Sequence, residues 1–257
     1  MDYKKSDISS ALENLHFKNG DIIFLHSNIA FFGTIEKYQS KHDILEAILG
    51  AIFDVIGTNG TLVVPTFTYS FGSTQKEKIF NVLSSQSKMG MFSEYIRTKT
   101  ASVRSHDPMF SVSAIGKHAK YFTQDVADEC FGNDSFWQRF HQANGKICNM
   151  NYGLVSTFIH YIEKSLKVDY RNDKKFSGLI IDEKGKISNR DILFFCQNTT
   201  APYPNYNLLN DLAYHSDFAS SIMVGRGKIE SITAKDMFHV VKNLLIPNPC
   251  FIQSKNE

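Results

Sequence analysis

Apolar positions along the chain follow two alternating rhythms. "GDIIFLHS" (20–27) and "NGTLVVPTFTYS" (59–70) contain continuous apolar runs, as in strands buried on both faces of a sheet. Between them, "KHDILEAILGAIFDVIG" (41–57) carries apolar residues at helical spacing and stops at Gly57. Strand, helix and strand in that order predict a parallel pair with a crossover helix. The alternation continues down the chain. A first helix is predicted over "DISSALENLH" (7–16), with further helices over "MGMFSEYIRTK" (89–99), "DSFWQRFHQAN" (134–144) and "VSTFIHYIEKSLK" (155–167). "MFSVSAIG" (109–116) and "GKICNMN" (145–151) read as strands. A strand-rich region, a helix near 207–214 and a closing strand and helix follow. No internal repeat or low-complexity linker divides the chain. The pattern predicts one domain over 1–257, a three-layer α/β/α sandwich. Its central sheet is expected to be mostly parallel, with an antiparallel portion in the C-terminal half.

Composition narrows the function classes. The chain has 257 residues, 42% hydrophobic and 21% charged, enough for a substantial core without staples. A net charge of +2 gives no basis for a nucleic-acid partner. No apolar stretch reaches the ~18 residues of a membrane span. The polar start lacks the apolar core of a signal peptide. Cys130, Cys148, Cys196 and Cys250 are far apart and form no C-x-x-C pair. They read as reduced thiols of a cytoplasmic protein. There is no phosphate-binding P-loop, no nucleophile elbow and no metal-ligand motif. "GRGKIE" (225–230) starts like a dinucleotide fingerprint but lacks its third glycine.

The candidate chemistry lies in "STFIHYIE" (156–163). His160 and Glu163 stand three apart on a predicted helix and share a face. A carboxylate there can fix the imidazole tautomer and raise the basicity of the far nitrogen, the minimum kit of a general base. The alternative is an exposed helical ion pair. The position favours function: the pair follows a strand and an Asn-Tyr-Gly turn, at the carboxyl edge of the sheet where α/β folds bind ligands.

"GKICNMNYGLVSTFIHYIE" resembles the strand–turn–helix of the aminoglycoside 3-N-acetyltransferase family, with Thr157, His160 and Glu163 on its Thr-x-x-His-x-x-Glu signature. "NGDIIFLHSNIAFFG", "GTLVVPTFTYS", "RSHDPMFSVSAIG" and "GNDSFWQRF" resemble further stretches of that family, in order. Two places depart from it. Asp107 stands where the family often has histidine, with His106 one residue earlier, and the strand before the helix ends in "NMNYG". The resemblance implies an acetyl-CoA-dependent N-acetyltransferase without a metal. His160 would be the base, Glu163 its orienting partner and Thr157 a polar contact.

It also implies that the loop after the first strand packs on the pantetheine arm. His26, Ser27, Asn28 and Ile29 would form one lip and Thr66, Phe67 and Thr68 the other, with Ser111 and Val112 as a third wall. His26 has a competing reading as a core histidine satisfied by backbone. Tyr69, Asp107 and Tyr152 are expected on the acceptor side. Polycations favour acidic clefts, and these loops hold few carboxylates. The expected acceptor is therefore a small-molecule amino sugar, with nucleotide-linked ones among the candidates, whose phosphates Arg104 or Arg171 would meet. The alternatives are an aminoglycoside, which would make the protein a resistance enzyme, and a non-catalytic CoA-binding protein. A homodimer is compatible with the sequence.

Overall fold

The computed structural model describes residues 2–72, 74–198 and 205–251. Its elements, in chain order, are α1 (Lys5–Asn14), β1 (Ile22–Ser27), a 3₁₀ turn (Ile29–Phe32), α2 (Lys41–Ile56), β2 (Thr61–Pro65), β3 (Ile79–Asn81), α3 (Met91–Thr98), β4 (Val103–Arg104), β5 (Val112–Gly116), α4 (Ala119–Thr123), α5 (Phe136–Gln142), β6 (Lys146–Met150), α6 (Phe158–Ser165), β7 (Arg171–Ile181), β8 (Ile187–Gln197), α7 (Asn207–His215), β9 (Ala219–Val224), β10 (Gly227–Thr233) and α8 (Ala234–Leu245).

The main sheet runs β4-β5-β2-β1-β6-β10-β9. Its centre is parallel: β1 pairs with β2 on one side and β6 on the other. Successive side chains of these strands point to opposite faces. Ile23, Leu25, Leu62, Val64 and Cys148 pack with α1, α2 and α3, while Phe24, Val63 and Ile147 pack with α5, α6 and α8. Helices on both faces explain why the strands read as unbroken apolar runs. This is the expected α/β sandwich. Antiparallel strands flank the parallel centre on both sides, β5 and β4 at one end and β10 and β9 at the other. The antiparallel portion therefore begins in the N-terminal half, because the short β4–β5 pair turns the chain back onto β2. A second sheet, β3-β7-β8, carries a hairpin of two 11-residue strands whose first strand is the next element after α6.

Local signals set the helix ends. Ser40 Oγ accepts from Asp43 N at the start of α2, and Ser135 Oγ accepts from Gln138 N at α5. Gly57 ends α2 with φ of 61°, in the left-handed region that favours glycine.

Candidate active site

The site gathers at the carboxyl ends of β1 and β6. Asn149, fully buried near the end of β6, is its keystone. Its Oδ1 accepts from His26 Nδ1 at 3.2 Å, across the β1–β6 pair. Its Nδ2 donates to Gly153 O at 2.6 Å and Val155 O at 3.0 Å, holding the loop that leads into α6. Burial drives the His26 imidazole down to about 4, against the opposing effect of its Asn149 hydrogen bond. His26 is therefore neutral, with the proton on Nδ1. The structure satisfies it through a side chain, where the sequence reading of a core histidine invoked backbone. Tyr152, exposed in the same loop, stacks on it with ring centres 5.4 Å apart.

α6 presents the expected pair. His160 Nδ1 lies 2.7 Å from Glu163 Oε2. The Glu163 carboxyl has no exposed surface, and the histidine keeps 20% of its side chain accessible. The carboxylate meets two further groups from the entry to the second sheet. Tyr170 OH donates to Oε1 at 3.0 Å, and Arg171 Nε approaches Oε2 to 2.7 Å. The arginine contact is close, but its N–H is not directed along it, so it acts as a charge contact. Burial opposes ionisation of Glu163, yet His160, Arg171 and Tyr170 together hold its carboxyl below the usual range. Burial and the adjacent Glu163 carboxylate push the Tyr170 phenol well up, so it stays a proton donor. Phe131 packs edge-on against the His160 ring at 5.5 Å. Thr157 stands at the start of α6, where its carbonyl accepts from His160 N at 3.0 Å and its hydroxyl does not cap the helix.

Two cavities flank the loop after β1 and share Asn28. One, about 240 Å³, is lined by His26, Ser27, Lys88, Met89, Gly90 and Tyr152. The other, about 660 Å³, is lined by Ala30, Phe31, Gly33, Asn151, Gly153, Arg226 and Lys228. Its basic wall comes from the "GRGK" turn between β9 and β10. That turn docks on the 3₁₀ segment: Arg226 N donates to Phe32 O at 3.1 Å, and a Cβ on Gly225 would lie 2.3 Å from the same oxygen. The glycine pattern that fails as a nucleotide fingerprint thus serves as a tight turn.

Other expected contacts have different surroundings. Thr66, Phe67, Thr68, Ser111 and Val112 are buried. Thr66 Oγ1 donates to Ser111 O at 3.1 Å, Ser111 Oγ donates to Thr66 O at 2.6 Å, and Thr68 Oγ1 donates to Pro108 O at 2.9 Å. These hydroxyls knit β2 to β5 and the turn before it; in this structure they do not face an open lip. Arg104 is also interior. It donates to the carbonyls of Val82, Ser85 and Thr66 and stacks over Phe80. Asp107 Oδ1 accepts from Met109 N and Phe110 N, both at 2.8 Å, closing a turn. His106 points away, to Glu183 at 3.0 Å, in a separate cavity of about 390 Å³ beside Arg190. Phosphate contact from Arg104 is thus excluded by its burial, and Arg171 is spent on Glu163. Tyr69 does border the site: it packs on Phe67 and Phe110, and Tyr152 is close enough to raise its phenol further beyond the effect of burial.

With this geometry in place, relatives become informative. A family model described as aminoglycoside 3-N-acetyltransferase matches residues 24–246. The chain belongs to this family. Its members transfer an acetyl group from acetyl-CoA, so the protein is an acyltransferase by descent. Solved structures agree on the fold. AAC-IIIb in a binary complex with CoASH has a TM-score of 0.80 at 19% identity, covering 99% of this chain and 99% of that one. AAC-VIa bound to sisomicin has a TM-score of 0.76 at 19% identity, covering 95% and 98%. The YokD protein from Bacillus subtilis has a TM-score of 0.74 at 19% identity, covering 95% and 99%. A comparison with curated proteins gives no match. Between the acceptors weighed from the sequence, membership of this family favours the aminoglycoside over the nucleotide-linked amino sugar. Among the described residues, no helix is long and apolar enough to cross a membrane.

Sequence reasoning missed Asn149, Tyr170 and the docking of Arg226 and Lys228. A signal existed for the first: an amide at the end of an otherwise apolar strand needs partners. Tyr170 and the β9–β10 turn reach the site only through tertiary packing.

Proposed function

We propose that the protein acetylates an amine of an aminoglycoside by direct transfer from acetyl-CoA, with His160 as general base. The observation that carries this is the buried Glu163 carboxylate bonded to His160 Nδ1. With that nitrogen committed, Nε2 is the one left for the acceptor. It takes a proton as the amine attacks the thioester carbonyl, the carbon–sulfur bond breaks, and the proton returns to the departing thiolate. Backbone donors at the site would meet the developing oxyanion. Ser27 and Asn28 line the smaller cavity and Asn28 also the larger, and with Ile29 they would carry the pantetheine arm between the two. Arg226 and Lys228 suit the coenzyme's phosphates. Asp2 takes only the arginine's Nε, and 72% of that side chain is exposed. Tyr69 and Tyr152 would wall the acceptor side.

A second reading keeps the chemistry and changes the acceptor to an amino sugar with few charges. The carboxylates around the base are already paired: Glu163 with Arg171, Glu129 and Asp173 with Lys164, and Asp128 with Arg190. A polycation would have to displace these cations. The deciding assay measures CoA thiol release across aminoglycosides, simple amino sugars and nucleotide-linked amino sugars, at low and moderate salt. Efficient acetylation of an aminoglycoside, weakening as salt rises, supports the first reading. Turnover confined to amino sugars supports the second, and no amine-dependent release would sink both.

A further inference from the structure

The second sheet contributes to the base. Glu163 is wholly buried, and its oxygens are divided among groups from two elements. Oε2 is shared: His160 Nδ1 and Arg171 Nε both lie 2.7 Å from it. A desolvated carboxylate with histidine as its only cationic partner favours the imidazolium, because the alternative is an uncompensated buried charge. An imidazolium cannot act as a base. Here a permanent cation occupies the second position.

We infer that Arg171 is a positioning residue for the base: it supplies the fixed positive charge that lets Glu163 stay ionised beside a neutral His160. The inference rests on the reading of His160 as base. At rest, Glu163, Arg171 and neutral His160 sum to zero charge. When His160 takes the acceptor's proton the cluster becomes cationic, at the moment when negative charge develops on the thioester oxygen. The favourable field is therefore strongest in the transition state, which is what lowers a barrier.

The setting suits that role. Only 7% of the Arg171 side chain is exposed, so its charge is poorly screened. It opens β7, in register with Gln197 of β8, and its Nη1 lies 3.5 Å from Phe195 O. Tyr206, before α7, also hydrogen-bonds it. Other charged or titratable groups stand nearby, among them Cys196 beside Arg171 and Asp107 beside Cys130. Tyr170 bonds Glu163 Oε1, Lys164 on α6 is tied to Glu129 and Asp173, and Cys130 sits beside Phe131 with a thiol that burial pushes well up. Arg171 is the cation in contact with the dyad among the described residues.

The test is the pH profile of kcat/KM for the acceptor at saturating acetyl-CoA, for wild type, Arg171→Met and Arg171→Lys. The acceptor amine titrates identically in all three, so differences belong to the enzyme. Arg171→Met is expected to displace the acid limb upward by about one pH unit, giving ~10-fold lower activity on the acid side of both midpoints that recovers in alkali. Arg171→Lys keeps the charge and is expected to hold the limb within a few tenths of a unit. A folded Arg171→Met enzyme with the wild-type limb, or with an equal loss at every pH, overturns the inference. If that variant does not fold, a limb displaced by a full unit in Arg171→Lys overturns it, whereas a held limb supports it provided Tyr170→Phe, which removes no charge, also leaves the limb in place. His160→Ala separates the two levels. Full activity there refutes the base itself, while a dead His160→Ala enzyme with an unmoved Arg171→Met limb refutes only the role of Arg171.

Discussion

His26 and Asn149 face each other on adjacent parallel strands, and the amide that accepts the imidazole proton also grips the loop leading to the His160 helix. One buried side chain thus links the end of β1, the loop over 151–157 and the helix that carries His160. It is a polar cluster in an otherwise apolar sheet centre, and it binds two segments into one unit.

That link predicts a specific acid sensitivity. The His26 imidazole is held down at about 4 by burial, below its unfolded value near 6.5. As pH falls below 6.5, the unfolded chain takes up a proton that the folded chain refuses. Stability is therefore fully present above that range and is lost as pH falls towards 4, by on the order of 3 kcal/mol. Urea melts of wild type and His26→Gln from pH 7.5 to 4.5 check this. The variant should be less stable at neutral pH and lose less on acidification.

Removal of the His160 imidazole should separate binding from turnover. His160 is partly exposed and touches Phe131 at its ring edge, so His160→Ala leaves the core intact. The expected result is a folded protein that binds CoA normally and turns over ~10²–10⁴-fold more slowly. Calorimetric titration with CoA alongside thiol-release kinetics would show it.

Glu163→Gln carries a stability cost that His160→Ala does not. It leaves Arg171, nearly buried, without its counter-charge. The expected loss is about 3 kcal/mol, read as a lower urea midpoint, together with a fall in kcat. Arg171→Met combined with Glu163→Gln should recover part of that stability, since both charges are then gone.

The groove beside Phe31 should report on phosphate rather than on the acyl group. Arg226→Ala and Lys228→Ala are expected to raise KM for acetyl-CoA ~10-fold in combination while sparing kcat, each contact being charge-assisted. Acetyl-pantetheine, which lacks the nucleotide phosphates, should show little difference between wild type and the double variant.

How much of this the sequence disclosed depends on range. The β1–α2–β2 unit was legible because local periodicity and Gly57 set it. The His160–Glu163 pair was legible because helical spacing alone brings the residues together. The antiparallel return of β5 was not, since an apolar strand looks alike in either direction. Thr66 and Ser111 look like exposed polar contacts in sequence, yet each satisfies the other across β2 and β5, and only the register reveals it. Arg104 misleads in the same way: a buried arginine over Phe80 and a surface phosphate ligand have the same letter.

The docking of the Gly-Arg-Gly turn onto Phe32 has a consequence for how the chain comes to be functional. The groove beside Phe31 is walled on one side by the residues after β1 and on the other by Arg226 and Lys228, nearly 200 residues further along the chain. A ribosome extends the chain from the N-terminus, so this groove cannot exist until Lys228 has emerged and β9 and β10 have joined the sheet. Shorter chains have no basic wall here, and completion of the groove marks the joining of two distant parts of the chain.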